Sequence, residues 1–191
     1  MKKELEKFLK ILFPILEFKI GEGWDYRVFP VKNDNTRVIK VLHSLFWQLW
    51  HRKSSLKRVL NICTKNGSRK SQMLSSIKKL RPLLTEHGHL LGNPRFIGTT
   101  YIQDRVLKLN IFMETIGDKE ERTQVLSDLW ELNEKFYSLG FYNRDNKLSN
   151  YGITEYGQVI LMDLSDITFD AQQIEKYRNR VRRQQLNLQL K

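Results

Sequence analysis

The clearest periodic pattern of apolar residues lies in the second half of the chain, at residues 119–139. Apolar side chains recur there at spacings of three and four, which puts them on one face of an α-helix. They are Val125, Leu129, Leu132 and Phe136. Acidic residues are concentrated at the start of the segment, where they interact favourably with the helix dipole. The pattern predicts a long amphipathic helix.

The first forty residues combine a helical pattern with the shorter period of β-strands. Residues 2–18 predict a helix, or a helix followed by a strand, with Pro14 ending the helical part. Polar turns at residues 21–25 and 32–35 then separate short runs rich in β-branched and aromatic residues. This arrangement predicts three strands joined by tight turns.

The remaining segments alternate between helical and extended patterns. Residues 42–87 predict two helical pieces, and residues 94–116 predict a hairpin that ends in an extended connecting segment. A β-like run at 159–162 precedes Asp163, and the last 25 residues predict a basic helix and a tail, with Asp166 as the helix cap. Strands near the amino terminus and helices beyond them indicate an α+β fold.

The composition is that of a globular chain, with 40% of 191 residues apolar and one cysteine, Cys63. A single cysteine excludes a disulfide framework. No apolar run approaches the roughly 20 residues that span a bilayer, and the charged amino terminus lacks a secretory signal. These features predict a soluble cytoplasmic protein, with a peripheral position at the inner membrane as a variant.

The net charge of +12 is concentrated in one segment, because residues 41–85 contain ten Lys or Arg and no Asp or Glu. Three partners would account for such a segment: nucleic acid, an anionic membrane or glycolipid surface, or an acidic protein. No nucleic-acid-binding motif accompanies the basic residues, so nucleic acid is the least favoured partner. A solvated basic helix that packs its leucine stripe on the domain is the simplest interpretation.

The candidate chemistry lies between residues 142 and 166. Asp145, Lys147 and Asn150 occur in the order D-x-K-x-x-N, and Asp163 follows Asn150 by thirteen residues. Phosphoryl transfer uses such a set, because one carboxylate orients the attacking hydroxyl and a lysine offsets the charge of the moving phosphoryl group. An asparagine and a second carboxylate can hold metal ions. These residue types predict a phosphotransferase.

The same stretch resembles the protein-kinase-like superfamily. NRDNKLSN is similar to its catalytic loop, usually HRDLKPEN, and MDLSD is similar to its Asp-Phe-Gly metal-binding step. Upstream, Gly21, Gly23 and Val28 match the glycine-rich loop, although Tyr26 replaces the third glycine. Lys40 in VIKV matches the strand lysine that contacts nucleotide phosphates. The motifs occur in the family's order, which is much harder to obtain by chance than any one of them.

The resemblance implies a small bilobal α+β fold that uses ATP and Mg²⁺, with an N-lobe at residues 1–116 and a reduced, mostly helical C-lobe at 117–191. The implied catalytic residues are Asp145, Lys147 and Lys40, and the implied metal ligands are Asn150 and Asp163. The implied nucleotide-binding residues are Gly21, Gly23, Val28, Lys40, Glu114 and Ile116, the last two in the hinge that would contact adenine.

Departures from the family pattern leave two functions open. No carboxylate occurs between Lys40 and Glu86, so the acid that normally pairs with the strand lysine is missing. Asn143 replaces the family histidine, and the short segment after Asp166 resembles reduced bacterial forms, such as YrbL-type proteins and kinases of lipopolysaccharide core sugars. We expect a phosphotransferase acting on a sugar, glycolipid or other small-molecule hydroxyl. The alternative is a pseudokinase-like module that binds nucleotide without catalysis.

Overall fold

The computed structural model describes residues 21–22, 26–42 and 71–189. The predicted helices at 2–18 and 43–67, and Gly23 of the glycine-rich motif, lie outside these ranges.

Contacts divide the chain into two compact units. The first unit is Met1–Ser75 with Asn93–Arg105, and the second is Ser76–Gly92 with Val106–Lys191. The predicted lobes at 1–116 and 117–191 stay a prediction.

The first unit contains a five-stranded antiparallel sheet with the strand order β1-β2-β3-β5-β4. Its strands are β1 (Gly21–Glu22), β2 (Tyr26–Val31), β3 (Asp34–Leu42), β4 (Arg95–Ile97) and β5 (Thr100–Asp104). Lys32 and Asn33 form the turn between β2 and β3, where Asn33 has a φ of 63°, a conformation that asparagine tolerates. The predicted arrangement of strands and turns is confirmed for the described residues.

One face of this sheet carries a buried apolar cluster. Side chains alternate between the two faces of a strand, so Phe29 and its cross-strand partner Ile39 point the same way. They form a buried pair against Val31, Val41 and Ile102. Val38 and Lys40 therefore project from the opposite face.

The second unit combines short strands with helices. Strands β6 (Leu107–Lys108), β8 (Tyr151–Ile153) and β9 (Val159–Leu161) form an antiparallel sheet in the order β6-β8-β9. Strand β7 (Tyr142–Asn143) pairs with β10 (Ile167–Thr168). The helices of the described residues are α1 (residues 71–80), α2 (Leu84–His87), α3 (Leu109–Thr115), α4 (Lys119–Ser138) and α5 (Ala171–Gln189).

Helix α1 is the described part of the basic segment. Its apolar residues Met73, Ile77 and Leu80 are buried, as their helical spacing predicts. Lys78 and Lys79 are exposed on the same helix. The described part of the segment is thus an amphipathic helix with a solvated basic face.

Helix α4 confirms the long helix predicted from the periodic pattern. Asp118 caps it, because its Oδ1 accepts a hydrogen bond from the backbone N–H of Glu120 at 3.0 Å. The four apolar residues that define the pattern are all buried. Asn133, which lies within the same face, is buried with them.

The predicted extended segment up to residue 116 is wrong in its second half. Strands β4 and β5 form the expected hairpin, but residues 109–115 form helix α3. Leu109, Phe112, Met113 and Ile116 lie at positions i, i+3, i+4 and i+7, so this short apolar run suits a helix as well as a strand. Ile116 follows the helix directly, and its N–H donates to the Phe112 carbonyl at 3.2 Å.

Helix α5 begins later than the predicted cap residue. Asp170 caps it by accepting a hydrogen bond at Oδ1 from the backbone N–H of Gln173 at 3.1 Å. The prediction that Asp166 caps this helix is therefore wrong, because Asp166 bonds instead to Arg144. No helix in the part of the chain that the structure describes has the length and apolar character required to cross a bilayer.

Three tyrosine rings connect α5 to the end of α4 and to β7. The rings of Tyr137 and Tyr142 stack with centroids 5.1 Å apart, and Tyr142 stacks on Tyr177 at the same distance. Ile174 is buried with this tyrosine stack. The last described helix is thus packed against the chain that leads into residues 143–150.

Candidate active site

The loop at residues 143–150 begins from a rigid base. Gly140 turns the chain out of α4 with a φ of 77°, and the rings of Phe136 and Phe141 pack 4.7 Å apart across this turn. Asn143 is fully buried at the start of the loop, and its Oδ1 accepts a hydrogen bond from the N–H of Asp145 at 3.2 Å. The residue at the family's histidine position therefore supports the backbone of Asp145.

The three loop residues of the D-x-K-x-x-N motif come together at Asp145. The ammonium of Lys147 lies 2.9 Å from Oδ1 of Asp145 and 3.1 Å from Oδ2. The amide of Asn150 donates to the Asp145 carbonyl at 2.6 Å and to Oδ2 at 3.1 Å. The Asp145 side chain nevertheless remains 38% exposed. Its carboxylate is held in place and is accessible to a substrate.

The hydrogen bond to Asp145 also acts on Lys147, whose pKa it raises above the ordinary lysine value. The negative charges of Asp145 and Asp166 act in the same direction. Lys147 is therefore protonated at neutral pH.

Asp163 joins this cluster through the backbone of Asn150. The Asn150 carbonyl accepts hydrogen bonds from the N–H groups of Met162, at 2.8 Å, and Asp163, at 3.2 Å. Oδ1 of Asp163 accepts from the N–H of Ser165 at 3.0 Å, which fixes the start of the following turn. All four residues predicted for the C-lobe site therefore lie in one network.

The donor set of Asn150 and Asp163 fits Mg²⁺. Since the Asn150 nitrogen is directed at Asp145, its side-chain oxygen is turned away from Asp145 and can act as a ligand. Mg²⁺ takes oxygen ligands, keeps several waters and uses few protein carboxylates. No group of three His, Cys, Asp or Glu side chains arranged for a metal occurs among the described residues.

A polar cluster beneath the loop was not found by sequence reasoning. The buried hydroxyl of Tyr151 lies 2.9 Å from Oδ1 of Asn133 and 2.6 Å from the side-chain amide of Asn146. The side-chain oxygens of Asn133 and Asn146 are both acceptors, so the single proton of the hydroxyl serves one of them at a time. The Asn133 nitrogen donates to the Leu129 carbonyl at 2.8 Å. The sign of this cluster in the sequence is Asn133, a polar residue at a position on the apolar face of α4.

We expect Tyr151→Phe to lower the free energy of unfolding by about 1–3 kcal/mol, because the buried side-chain amide of Asn133 loses its hydrogen-bond partner. Burial raises the pKa of Tyr151, so the hydroxyl stays protonated and the bonds persist across the neutral range. Chemical denaturation measures the change. Tyr156→Phe is the matched control, since this tyrosine is 89% exposed. Equal stability of the two variants would contradict the assignment.

The nucleotide-binding residues predicted in the N-lobe occupy adjoining strands. Val28 on β2 lies opposite both Gly21 on β1 and Lys40 on β3. The Lys40 side chain is almost fully buried, with its ammonium 5.6 Å from the centre of the Tyr101 ring. Glycine, apolar residue and lysine are therefore brought together in the first unit, as their motif predicts.

The predicted hinge residues are not placed as expected. Glu114 lies in helix α3 and is exposed, so its backbone is not an extended segment. The N–H of Ile116 is used by Phe112, and its carbonyl accepts from the Arg122 guanidinium at 2.8 Å. Both polar backbone groups of Ile116 are thus engaged in the structure. The adenine-contacting role of Glu114 and Ile116 stays a prediction.

Two solved structures are similar to this chain at low sequence identity. Rv3197 from Mycobacterium tuberculosis, determined with erythromycin, is 13% identical with a TM-score of 0.52, over 85% of this chain and 51% of that chain. WbdD, determined with the kinase inhibitor LY294002, is 12% identical with a TM-score of 0.48, over 78% of this chain and 32% of that chain. This chain spans about half the length of Rv3197 and a third of WbdD.

Sequence comparisons add no family to this likeness: no protein-family model matches the chain, and no curated protein matches it in sequence. The similarity to Rv3197 concerns the fold alone. The chain thus has a small mixed α+β fold with an antiparallel sheet and several helices, which confirms the predicted fold class and is consistent with a small kinase-like fold. Its membership of the protein-kinase-like superfamily stays a prediction. Its placement among reduced bacterial forms stays a prediction.

Proposed function

We propose that this chain is an ATP- and Mg²⁺-dependent phosphotransferase whose acceptor is a hydroxyl of a sugar, glycolipid or other small molecule. The observation that carries the proposal is the network joining Asp145, Lys147, Asn150 and Asp163. A surface loop needs no such convergence of a carboxylate, an ammonium, an amide and a second carboxylate. Phosphoryl transfer uses each of them.

Each residue has a separate role in this proposal. Asp145 orients the acceptor hydroxyl and takes its proton, and its accessible carboxylate supports this role. Lys147 offsets the charge of the transferred phosphoryl group. Asn150 and Asp163 would hold Mg²⁺, which supplies charge neutralisation at the phosphate oxygens.

The proposed nucleotide-phosphate contacts come from Lys40, with Gly21, Gly23 and Val28 as the further nucleotide-binding residues of the glycine-rich motif. Burial of the aliphatic part of Lys40 restricts the positions that its ammonium can take. Glu114 and Ile116 remain the residues proposed for the adenine edge, with Glu114 in helix α3 and Ile116 directly after it.

The second candidate is a nucleotide-binding module without catalysis, and one observation favours it. The chain has no carboxylate from residue 41 to 85, and the next one, Glu86, is 82% exposed and lies 3.7 Å from His87. A kinase-like site normally uses a carboxylate to hold the strand lysine toward the phosphates. ATP binding without measurable transfer to any acceptor would support this candidate.

The acceptor class and the basic segment can be considered together. Lys78, Lys79 and Arg81 present three exposed cations in the described part of residues 41–85. We propose that this segment binds an anionic surface, such as a membrane or glycolipid, and so brings the enzyme to its acceptor.

The proposed site is tested by calorimetry of ATP binding with and without Mg²⁺, on the unaltered protein and on Asp163→Asn. We expect Asp163→Asn to weaken Mg²⁺-dependent binding at least about tenfold, equivalent to about 1.4 kcal/mol. The asparagine can still accept the Ser165 hydrogen bond, so the turn is retained. Glu155→Gln, which removes an exposed carboxylate, is the matched control. No binding at millimolar ATP, or binding indifferent to both Mg²⁺ and Asp163, would overturn the proposal.

A further inference from the structure

The segment that carries Asp163 is hydrogen-bonded to the catalytic loop at both of its ends. At its start, the N–H groups of Met162 and Asp163 bond to the Asn150 carbonyl. At its end, the N–H of Arg144 donates to the carbonyl of Asp166 at 2.9 Å. Only Leu164 and Ser165 lie between Asp163 and Asp166, so the segment is too short to move at one end independently of the other.

At the Asp166 end of the segment, most of the contacts are made by one arginine. The Arg144 guanidinium donates from Nη2 to Oδ1 of Asp166 at 2.9 Å, and from Nε to the Asp166 carbonyl at 3.4 Å. The planar fork of arginine thus contacts both the side chain and the backbone of the same residue, which fixes orientation as well as distance.

This ion pair is not explained by a contribution to stability. The side chains of Arg144 and Asp166 are 35% and 36% exposed, and partly exposed pairs of this kind contribute little to the free energy of folding. Their positions in the chain are more informative. Arg144 immediately precedes Asp145, and Asp166 follows Asp163 by three residues. The pair therefore connects the two carboxylates on which the proposed chemistry depends.

We infer that Arg144 and Asp166 are positioning residues that hold the Asp163 segment in register with Asp145. The inference rests on the proposed function for its chemical consequence, because the separation of the two carboxylates matters only if both act on one nucleotide complex. Asp166 also contributes to the raised pKa of Lys147, so its charge acts on the catalytic loop. Neither residue contacts substrate in this assignment; both act through their neighbours.

The first test is amide hydrogen exchange on the full chain, which needs no activity. In Arg144→Gln and in Asp166→Asn, the amides of Met162 and Asp163 should exchange about three- to tenfold faster than in the unaltered protein. The exchange rates of the amides in β8 and β9 that lie away from the loop should be unchanged. Two independent variants guard against a folding defect in either one.

A second arginine–carboxylate pair in the same unit provides the control. Arg178 contacts Glu134 at 2.7 Å and 3.4 Å, and its side chain is as exposed as that of Arg144. Arg178→Gln should leave the Met162 and Asp163 amides unchanged. If the amides of Met162 and Asp163 exchange at the same rate in all three variants, the Arg144–Asp166 pair is an ordinary surface ion pair and the inference is wrong.

The second test separates positioning from a purely structural role. In Arg144→Gln, the Mg²⁺ concentration that gives half-maximal ATP binding should rise about three- to tenfold, while ATP affinity at saturating Mg²⁺ stays within about twofold. An unchanged Mg²⁺ requirement would contradict the inference. If the unaltered protein shows no Mg²⁺-dependent ATP binding, the proposed function fails, and hydrogen exchange still decides whether the pair positions the segment.

Discussion

Asp145→Asn should lower the rate of phosphoryl transfer by about 10²–10⁴-fold while leaving the protein folded, because an amide cannot accept the proton of the acceptor hydroxyl. The replacement has the same shape, and the Asn150 amide can still donate to the backbone carbonyl of residue 145, now at 2.6 Å. The hydrogen bond to Lys147 loses its charged acceptor, so the pKa of Lys147 should fall back toward the ordinary lysine value.

The measurement is a comparison of turnover and binding in the same preparations, using simple sugars and glycolipids as acceptors. We expect ATP affinity in the presence of Mg²⁺ to stay within about threefold of the unaltered protein, since Asp145 is not assigned to the metal. Asp128→Asn, on the surface of α4, controls for the loss of one negative charge. A rate within about twofold of the unaltered enzyme would remove Asp145 from the role of general base.

Gly152→Ala should lower the free energy of unfolding by about 1–3 kcal/mol, because it adds a methyl group where there is no room. A Cβ at residue 152 would lie 2.3 Å from Cγ2 of Val106, 2.8 Å from Sδ of Met162 and 3.0 Å from the carbonyl oxygen of Leu107. The Met162 side chain can rotate away, but Leu107 contributes the backbone of the paired strand β6. The strands therefore have to separate or Val106 has to move.

Thermal and chemical denaturation should both report this loss, with a Tm lower by about 2–4 °C for each kcal/mol in a chain of this size. Gly117→Ala is the matched control, since nothing lies within 4 Å of its added Cβ. The double variant Val106→Ala, Gly152→Ala removes the closest clash and should lose less than the sum of the two single changes. Additive losses would show that Val106 is not the obstacle.

The features that the sequence predicts correctly depend on short-range order. In the loop, Asp145, Lys147 and Asn150 lie within six residues, so the chain has few ways to separate them. The long helix α4 was predictable because four apolar residues repeat through several turns, which leaves no strand interpretation open. Lys40 and Val28 were placed correctly because the alternation of a hairpin fixes which residues are opposite each other.

The features that the sequence does not predict depend either on contacts between residues distant in the chain or on apolar patterns that suit both a helix and a strand. Asp166 precedes a helix and looks like a cap, and only the pairing of β7 with β10 brings it to Arg144. In the sequence, Tyr151 is one residue of an apolar strand pattern. Only the structure shows that its hydroxyl is hydrogen-bonded to Asn133. The seven residues of α3 are too few to distinguish a period of 3.6 from a run of apolar residues, so the sequence predicts an extended segment where a helix forms.

The stack of Tyr137, Tyr142 and Tyr177 gives this protein an optical signal of its own. Aromatic rings fixed in an asymmetric arrangement contribute to the near-ultraviolet circular dichroism, and this contribution disappears when packing loosens while helices persist. Tyr177 belongs to α5 and Tyr142 to the strand that enters the catalytic loop. The near-ultraviolet circular dichroism of these tyrosines therefore reports whether α5 is packed against β7 through the contact of Tyr177 with Tyr142. The difference between the spectra of the unaltered protein and Tyr177→Leu gives the part of the signal that arises from this contact.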